Sequence, residues 1–408
     1  MEMFKVTKVC EVKEIMDQNF SSYDLPSETI DILNAQGRIL SKDIYALENV
    51  PHFRRSTVDG YAVVSADTFG ASETLPAFIN LIGDAHMGEH NQSHLCSDKC
   101  MYVPTGGMLP EGADAVVMIE YVEKFQDEIA IHKSVAPKEN VMDIGDDIKQ
   151  DQLLFTRGTK IKAHHLGVLA SVGITDVDVF VKPKICILST GDELIDPKED
   201  LKPGVIRDIN TYTLSGLCTE LGCDVIEKKV VKDDFNNLKD TLKSFIDKSD
   251  LVLLSGGSSV GTKDMTPDVI NALGSPGVLI HGIAMKPGKP TIIAKINNKA
   301  VLGLPGQPAS CIMAFRVLGE YLIKNLLHLN THEELFLEGV CSTNIHASPG
   351  RETYQMVTIE ESSDGYIINP VHGKSGMITL ISRAQGYIKI PMNKEGISVG
   401  EKVKVYLF

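Results

Sequence analysis

Residues 255–264 read SGGSSVGTKD and directly follow the apolar run of residues 251–254. Glycine lets a ligand approach the backbone closely, and consecutive backbone N–H groups form a concavity that binds anions. The glycine spacing is that of a P-loop nucleoside triphosphatase, but Thr262 and Lys263 stand in the reverse of the order that such a loop requires. Asp264 lies where a helix is expected to begin, so it is either a helix cap or a metal ligand. The segment therefore predicts a phosphate-binding loop outside the P-loop class.

Four other loops with similar chemistry occur in the same region of the chain. They are residues 189–193 (STGDE), 232–234 (KDD), 286–290 (KPGKP) and 303–308 (GLPGQP). Ligands of open parallel sheets bind beyond the carboxyl ends of the strands, so loops that leave those ends are expected to meet. Each loop alone is more typical of a turn or a helix start. Together they predict a site for a phosphate-bearing ligand, held by backbone N–H groups and lysines.

The elements that must position these loops lie in residues 182–330. Strand-like runs such as KICILST and LVLLS alternate with helical runs such as NTYTLSGLCTELG and FNNLKDTLKSFIDK. This alternation predicts βαβ units and a mostly parallel sheet, followed by a long apolar helix that ends near residue 327.

The rest of the chain has a different pattern. Residues 51–147 consist of short β-like runs broken by glycine and proline, and residues 331–408 consist of short alternating runs. Both patterns predict β-rich units. Helical periodicity occurs in residues 5–20, 27–38 and 160–173, and Ser27 is the expected cap of the second of these helices.

The predicted fold class is multidomain, α/β plus β, because 408 residues are too many for one core. It comprises a mostly parallel α/β sheet domain, an inserted β-rich domain, a helical linking domain and a small, C-terminal β-barrel-like domain. The expected boundaries are 21–50 and 148–181 for the linking domain, 51–147 for the β-rich domain, 1–20 and 182–330 for the α/β domain, and 331–408 for the C-terminal domain.

Composition excludes several classes of function. The net charge of −14 argues against a nucleic-acid-binding protein, which needs a basic face. No apolar run reaches the roughly 18 residues of a membrane span, and the first residues do not resemble a signal peptide. The eight cysteines are mostly single and in apolar surroundings, which is typical of reduced thiols and predicts a cytoplasmic protein.

Residues 86–100, HMGEHNQSHLCSDKC, contain three histidines and two cysteines: His86, His90, His94, Cys96 and Cys100. Zinc uses such ligands, but histidines four residues apart need a helix to share a face, and glycine weakens a helix here. The segment is either a metal site or a polar loop between strands, and the polar loop is the expectation favoured by its position in the β-rich domain.

Motifs in a fixed order along residues 20–400 are more informative than any single loop. They are RSTVDGYAV (55–63), PTGGMLPEGADAVVMIE (104–120), NVMDIGDDI (140–148), STGDEL (189–194), SGGSSVGTKD (255–264), KPGKPT (286–291), GLPGQPAS (303–310) and KSGMITLISRAQGYIKIP (374–391). This set resembles the molybdopterin molybdenumtransferase family, which includes MoeA and the E domain of gephyrin.

The resemblance implies an elongated four-domain subunit, a homodimer, and an α/β domain shared with the molybdopterin adenylyltransferases. It implies a reaction in which adenylated molybdopterin and molybdate give molybdenum cofactor and AMP, with Mg²⁺ assisting hydrolysis of the adenylate. The implied partners are adenylated molybdopterin and molybdate, a separate molybdopterin adenylyltransferase, and the apo-molybdoenzymes that receive the cofactor.

The resemblance also assigns roles to residues. The implied catalytic carboxylates are Asp59, Asp147, Glu193 and Asp264, and the implied Mg²⁺ ligands are Glu193, Asp233 and Asp264. The implied substrate-binding residues are Thr105, Thr190, Gly191, Asp192, Ser255, Gly256, Gly257, Ser258, Ser259, Pro305 and Gly306. Asp59, Thr105 and Asp147 are expected to face the sheet edge of the partner subunit. The motifs leave open the choice between Asp146 and Asp147 and between Asp233 and Asp234.

A cleft acidic enough to bind Mg²⁺ would repel molybdate, so the oxyanion needs a cationic site of its own. Lys286, Lys289, Arg351 and Ser375 are the candidates. Arg351 is equally well explained as an exposed surface arginine. No side chain in this set separates molybdate from tungstate, which has nearly the same size and charge.

Two departures from the family pattern stand out. Arg54 and Arg55 precede Ser56 where many members have Asp-Asn-Ser, and the two added charges either strengthen anion binding or face solvent. Gln307 occupies a position where histidine or asparagine is common, and no role is assigned to it.

Two alternative functions compete with molybdenum insertion. An adenylyltransferase-type enzyme would share the α/β domain but would not need the β-rich or C-terminal domains. A non-enzymatic molybdopterin-binding scaffold would tolerate loss of the acidic set, whereas Asp59, Asp147, Glu193 and Asp264 are all present.

Overall fold

The computed structural model describes residues 6–256, 265–329, 335–373 and 376–408. Three six-stranded sheets and several two-stranded ribbons organise these residues. They form a multidomain fold that combines an α/β sheet unit, an inserted β module, linking segments and a C-terminal β unit.

The sheet of the α/β unit has six strands, in the order Asp224–Val231, Lys184–Thr190, Leu251–Ser255, Lys299–Leu304, Ile292–Ile296 and Pro276–His281. The first four strands are mutually parallel, and each of the last two pairs antiparallel with the strand before it in this order. The register pairs Thr190 with Val231, and Ser255 with both Ser189 and Leu304. Four carboxyl ends therefore meet at one edge, which confirms the predicted mostly parallel sheet.

Helices cover both faces of this sheet. They are Val9–Phe20, Asn210–Glu220, Phe235–Lys248, Thr266–Asn271, and the run Pro308–Ala314, Phe315–Gly319 and Glu320–Leu326, whose middle part is a π-helix. Successive strand residues point to opposite faces, so Ile185 and Ile187 join one core while Cys186 and Leu188 join the other. The helix predicted for residues 5–20 is confirmed over Val9–Phe20, and so is the long apolar helix predicted to end near residue 327.

The β module contains a six-stranded sheet in the order Ala115–Met118, Gly60–Val63, Lys99–Val103, Ala77–Asp84, Glu128–Ile131 and Val122–Phe125. A ribbon of Arg55–Ser56 and Val141–Met142 lies beside it. Gly60 allows the first two strands to pair closely, because a Cβ atom there would lie 2.1 Å from the carbonyl oxygen of Val117. The strand that follows Asp59 therefore depends on glycine.

The linking segments contain one α-helix among the described residues, Ala163–Ser171, together with the short strands Ser27–Asp31, Ile44–Tyr45, Leu153–Phe155 and Asp176–Phe180. The helix predicted for residues 27–38 is wrong. Residues 27–31 pair antiparallel with residues 176–180, and only Ile32–Asn34 forms a short 3₁₀ turn. Asp31, not Ser27, is its cap, accepting a hydrogen bond from Leu33 N at 2.7 Å. Strand pairing across the chain has overridden the local helical pattern.

The C-terminal unit is a closed barrel of five strands: Glu352–Ser362, Gly365–Pro370, Phe336–Cys341, Lys402–Leu407 and Gly386–Ile390, the last of which pairs back with the first. A sixth strand, Met285–Lys286, comes from the α/β unit and pairs in parallel with Glu352 and Thr353. The barrel completes its own hydrogen bonding and is joined to the α/β unit through backbone pairing.

One hydrophobic core joins the N-terminal helix, the α/β sheet and the C-terminal unit, since it includes Met16, Ile187, Phe315, Tyr354 and Tyr387. All eight cysteines are free, and six of them are buried. None of the helices in the described part of the chain has the length and apolar character needed to cross a membrane.

A partly buried polar contact ties the segment after the first helix to the sheet. Tyr23 donates to Asp250 Oδ1 at 2.5 Å, and Lys299 Nζ donates to the Tyr23 hydroxyl at 2.9 Å. Burial, followed by the Asp250 carboxylate, raises the pKa of Tyr23 well above its usual value, so the phenol remains a donor. The contact therefore persists throughout the neutral range.

We expect Tyr23→Phe to lower the free energy of unfolding of the α/β unit by about 1.5–3 kcal/mol, because it removes a hydrogen bond to a charged group. Tyr45, which is 50% exposed, provides the matched control Tyr45→Phe. Urea unfolding followed by circular dichroism measures both variants. Equal midpoints for the two would show that the Tyr23 contact contributes nothing.

Candidate functional site

A large cavity opens where the four parallel strands end. We call it the sheet-edge cavity; its volume is about 920 Å³. Its lining residues are Thr190, Gly191, Glu193, Leu194, Leu201, Val205, Ile206, Arg207, Asp208, Ile209, Asn210, Asp233, Ser255, Gly256, Gly306, Gln307, Pro308 and Gly376. Three of the predicted loops contribute, namely those that begin at residues 189, 232 and 303, together with Ser255 and Gly256. The volume suits a nucleotide-sized ligand.

Carboxylates occupy one side of this cavity. Thr190 Oγ1 donates to Asp233 Oδ1 at 2.6 Å, which links the ends of two neighbouring strands. Glu193 lies over Gly191, where an added Cβ atom would be 2.9 Å from Glu193 Oε2. Asp234 instead caps the helix Phe235–Lys248, accepting from Asn237 N at 2.8 Å. Of the adjacent pair, Asp233 is therefore the one that lines the cavity.

Gly256 permits the close approach of two strand ends. Its φ is +96°, and a Cβ atom there would lie 2.3 Å from the carbonyl oxygen of Thr190. Gly306 is the next neighbour, since its added Cβ atom would lie 3.6 Å from the Gly256 Cα. Any side chain at Gly256 would push the strand ends apart and displace Thr190.

Two cavity residues, Asp208 and Asn210, were missed by the sequence reasoning. Asp208 lies just before the helix Asn210–Glu220, Asn210 is its first residue, and both are buried. Asn210 Nδ2 donates to Ser255 Oγ at 2.7 Å and to Gly306 O at 2.8 Å. The available signal was the pair of polar residues in the segment RDIN, directly before a helix.

A second cavity of about 450 Å³ lies between the α/β unit and the C-terminal barrel. Its polar and charged lining residues include Lys286, Lys289, Ser310, Arg351, Thr353, Gln355 and His372. Its described lining contains no aspartate or glutamate, so we call it the cationic cavity. Three of the four residues predicted for an oxyanion, Lys286, Lys289 and Arg351, are brought together there. Ser310 and Thr353 were missed, and the buried Thr353 hydroxyl has no hydrogen-bond partner.

Backbone pairing explains why these cations meet. Lys286 pairs with Thr353 in the strand that begins just after Arg351. Lys286 Nζ donates to Ser348 Oγ at 3.0 Å. The two cavities also share one helix start, because Pro308 lines the sheet-edge cavity and Ser310 lines the cationic cavity. An acidic site and a cationic site therefore lie side by side.

The β module carries a separate polar group. Asp59 Oδ1 accepts from Thr105 N at 2.7 Å and from Thr105 Oγ1 at 3.0 Å. Both residues are exposed, as are Asp146 and Asp147. Asp146 accepts from Asp143 N at 2.6 Å, whereas Asp147 N donates to Val50 O. None of these residues is among those lining the two cavities of the same chain.

Arg54 has a structural partner. Its Nε donates to Asp143 Oδ1 at 3.1 Å, and Lys138 Nζ donates to the other carboxylate oxygen at 2.6 Å. Lys138, and then Arg54, hold the pKa of Asp143 below its usual value. Arg55 donates to Met142 Sδ at 3.3 Å. The sequence left open whether Arg54 binds an anion or faces solvent. The structure shows that it instead forms an intramolecular ion pair with Asp143.

Several predicted residues take no direct part in the described cavities. Asp192 Oδ1 accepts from Asp233 N at 3.3 Å and so orders the neighbouring loop. Pro305 is buried at the end of its strand. Gly257, Ser258, Ser259, Asp264 and Ser375 lie outside the described residues.

The histidine and cysteine cluster of residues 86–100 is dispersed. His86, His90, His94 and Cys96 are exposed on a loop, and His94 lies beside Glu111 at 3.9 Å. Cys100 is buried in the core of the β module, where burial raises its pKa to about 12, so it stays a thiol. Within the described ranges, no three His, Cys, Asp or Glu side chains gather in a metal-binding group.

The donor set of the sheet-edge cavity fits Mg²⁺ in one particular way. Glu193 and Asp233 supply two hard carboxylates. Mg²⁺ is commonly held by one or two carboxylates, with phosphate oxygens of the substrate and water filling the other positions. Among the described residues, the cavity thus fits a substrate-bridged ion rather than a closed protein cage.

Three protein-family models match consecutive parts of the chain. They are described as "MoeA N-terminal region (domain I and II)" over residues 7–173, "Probable molybdopterin binding domain" over residues 186–325, and "MoeA C-terminal region (domain IV)" over residues 338–408. Together they span nearly the whole chain, and the middle model contains most of the sheet-edge loops.

Individual relatives extend over the full length. A protein of Methanocaldococcus jannaschii named for molybdopterin biosynthesis is 35% identical over 387 residues, covering 93% of this chain and 91% of the relative. A molybdopterin molybdenumtransferase of Staphylococcus aureus is 28% identical over 397 residues, covering 97% and 94%. The crystal structure of a molybdopterin biosynthesis MoeA protein from Pyrococcus horikoshii has a TM-score of 0.83 at 37% identity, with 99% of each chain covered. The chain therefore belongs to the MoeA family of molybdopterin biosynthesis proteins.

Proposed function

We propose that this protein is a molybdopterin molybdenumtransferase that acts in molybdenum cofactor biosynthesis. It takes adenylated molybdopterin and molybdate, and it releases molybdenum cofactor and AMP. The observation that carries the proposal is the adjacency of an acidic, nucleotide-sized cavity and a smaller cavity lined by Lys286, Lys289 and Arg351. The reaction needs two such sites, one for a phosphate-linked ligand with its cation and one for a dianionic oxyanion.

The sheet-edge cavity would hold the adenylated pterin. Backbone groups at Gly191, Gly256 and Gly306 leave room for a ligand against the strand ends. Glu193 and Asp233 would hold Mg²⁺, which when bound would neutralise charge on the phosphate oxygens. Thr190 fixes Asp233 through the 2.6 Å hydrogen bond and keeps one carboxylate oxygen oriented.

The cationic cavity would hold molybdate. Lys286, Lys289 and Arg351 supply positive charge, and the hydroxyls of Ser310 and Thr353 supply donors. The C-terminal barrel contributes Arg351 through backbone pairing, so this site requires the barrel to be docked. Separation from the carboxylates avoids the repulsion that a shared cavity would impose on the oxyanion.

The proposed active unit is a homodimer in which the β module of one subunit completes the site of the other. The hydrogen-bonded pair of Asp59 and Thr105 is exposed and lines neither cavity of its own chain. In a symmetric dimer, each β module would reach the partner's sheet edge, and both sites would be equivalent. Asp147 would belong to the same contributed surface.

Release of AMP from adenylated molybdopterin tests the function. We expect the purified wild-type protein to release AMP in the presence of Mg²⁺ and molybdate and to yield a molybdenum-containing cofactor. Asp233→Asn should raise the Mg²⁺ concentration for half-maximal activity about 10- to 100-fold, because a ligand charge is lost with little change of volume. Asp234→Asn, at the helix cap, is the matched control and should behave as wild type.

Absence of AMP under any Mg²⁺ and molybdate concentration would refute the insertion activity. An assay with ATP and unadenylated molybdopterin then separates the adenylyltransferase alternative from a binding protein without activity.

We expect Lys286→Ala to raise the KM for molybdate, most strongly at low ionic strength, since surface charge is screened by salt. AMP release measured over a molybdate titration at two salt concentrations gives the effect. Lys402→Ala removes an exposed lysine of the barrel outside the cavity and serves as the control. Equal molybdate dependence of the two variants would show that the cationic cavity does not bind the oxyanion.

A mixture of two inactive variants tests the shared site. Asp59→Asn and Glu193→Gln, each inactive alone, should recover about a quarter of wild-type activity after subunits exchange, because half the dimers regain one intact site. Asp59→Asn mixed with Thr105→Ala should recover nothing, since both changes lie in the β module. No recovery with the first pair, despite subunit exchange shown by differential tags, would assign Asp59 and Glu193 to the same subunit's site or to no common site.

A further inference from the structure

We propose that Asp208 binds an amino-substituted heterocycle of the substrate and so determines which ring the sheet-edge cavity accepts. The inference rests on the proposed function, because it assigns one part of that substrate to one part of the cavity. Asp208 and its neighbour Asn210 form a wall with two acceptor oxygens, Asp208 Oδ2 and Asn210 Oδ1, to which no hydrogen bond is seen within the described residues. The ring that fits this wall must present N–H groups.

Asp208 is a carboxylate withdrawn from water and left without a cation. The residue is only 4% exposed, and in the described part of the chain no lysine or arginine forms an ion pair with it. One oxygen, Oδ1, accepts from Ser189 Oγ and from Thr211 N, both at 3.2 Å, which are long hydrogen bonds. A buried carboxylate is stable only with strong donors, so this one has capacity for a ligand that brings them.

Asn210 gives an independent sign of a missing donor. The carbonyl of Gly306 can only accept, so the group facing it at 2.8 Å must be Nδ2, and the orientation of the amide is fixed. The second Nδ2 hydrogen is used by Ser255 Oγ at 2.7 Å. Asn210 is 8% exposed, and its Oδ1 has no hydrogen-bond partner. A buried acceptor in this state is destabilising, so this wall already carries one unmet acceptor and disfavours a ligand edge that would add another.

The cavity also has an apolar lining. Leu194, Leu201, Val205 and Ile206 line it, and Leu201 and Ile206 remain more than half exposed, at 55% and 54%. A flat aromatic ring could lie against these side chains while its edge meets Asp208. Phosphate cannot take this position, because a carboxylate repels it; phosphate belongs at the glycine-rich rim.

Two rings of the proposed substrate carry an amino group. The pterin has a 2-amino group beside a ring N–H, which gives two adjacent donors for Asp208 Oδ2, the oxygen that accepts neither of the two protein hydrogen bonds. Adenine has an amino group beside a ring acceptor, which matches a carboxylate less well. The geometry favours the pterin, and the experiment below distinguishes the two.

The test compares ligands that differ only in the donor edge. Binding of pterin and of lumazine, in which the 2-amino group is replaced by a carbonyl, is measured by calorimetry on the full-length protein at pH 7. AMP and IMP form the second pair, which differs in the same way. We expect wild-type protein to prefer pterin to lumazine about 10- to 100-fold, as befits hydrogen bonds to a charged group, and to show little preference between AMP and IMP.

Asp208→Asn is the informative variant. Asparagine caps a helix as well as aspartate does, so the hydrogen bond to Thr211 N and the fold should survive. Its amide can donate to the lumazine carbonyl, so the preference for pterin should disappear. Asp234→Asn, an Asp-to-Asn change at another helix cap outside the cavity, should keep the wild-type preference.

The outcomes separate this inference from the proposed function. Equal binding of pterin and lumazine by the wild type, or an unchanged preference in Asp208→Asn, would overturn the role of Asp208 while leaving molybdenum transfer intact. A preference for AMP over IMP that Asp208→Asn abolishes would place the adenine at Asp208 and overturn the pterin assignment. Failure of the wild type to bind pterin or AMP at all would count against the proposed function itself.

Discussion

The close approach of three parallel strand ends, those of Lys184–Thr190, Leu251–Ser255 and Lys299–Leu304, is the constraint on which the rest of the site depends. It is possible only because Gly256 has no side chain, since a Cβ atom would meet the Thr190 carbonyl at 2.3 Å. Asn210 then holds Ser255 and Gly306 together from the neighbouring helix. With the strand ends fixed, Thr190 can reach Asp233, and the carboxylates gain defined positions.

Charge is divided between two neighbouring cavities. The sheet-edge cavity contains Glu193, Asp208 and Asp233, whereas the cationic cavity contains Lys286, Lys289 and Arg351. The division follows from position along the sheet edge. The loop of residues 286–290 leads into Ile292–Ile296, whose start lies beside the end of Lys299–Leu304, so the loop lies beyond the last of the four parallel strands, where Met285 and Lys286 pair with the barrel. A protein with a net charge of −14 thus still offers a local site for an anion.

The C-terminal barrel is part of the site as well as of the fold. Pairing of Met285 and Lys286 with Glu352 and Thr353 brings Arg351 beside the lysines, and Tyr354 and Tyr387 join the core of the α/β unit. Such a joint core resists relative motion, because opening it would expose apolar surface. The cationic cavity is therefore formed before any ligand arrives.

Much of this could be predicted from the sequence. The alternation of strands and helices in residues 182–330 predicted the α/β sheet. Its edge loops predicted that Thr190, Glu193, Gly256 and one of Asp233 and Asp234 lie together, because parallel strands bring their carboxyl ends together whatever the other residues are. Local pattern failed where distant pairing decided the outcome, as in residues 27–31, which form a strand with residues 176–180.

Tertiary structure alone decided which polar side chains are buried and which of their oxygen atoms are left unsatisfied. Asp208 and Asn210 lie in a segment that looks like an ordinary helix start. Their environment is formed by Ser189, Ser255 and Gly306, which are distant in sequence. Ser255 and Gly306 also fix the orientation of the Asn210 amide. In the same way, only backbone pairing between the α/β unit and the barrel brings Arg351 to Lys286. Sequence patterns reflect neighbours along the chain, whereas burial and hydrogen-bond satisfaction depend on neighbours in space.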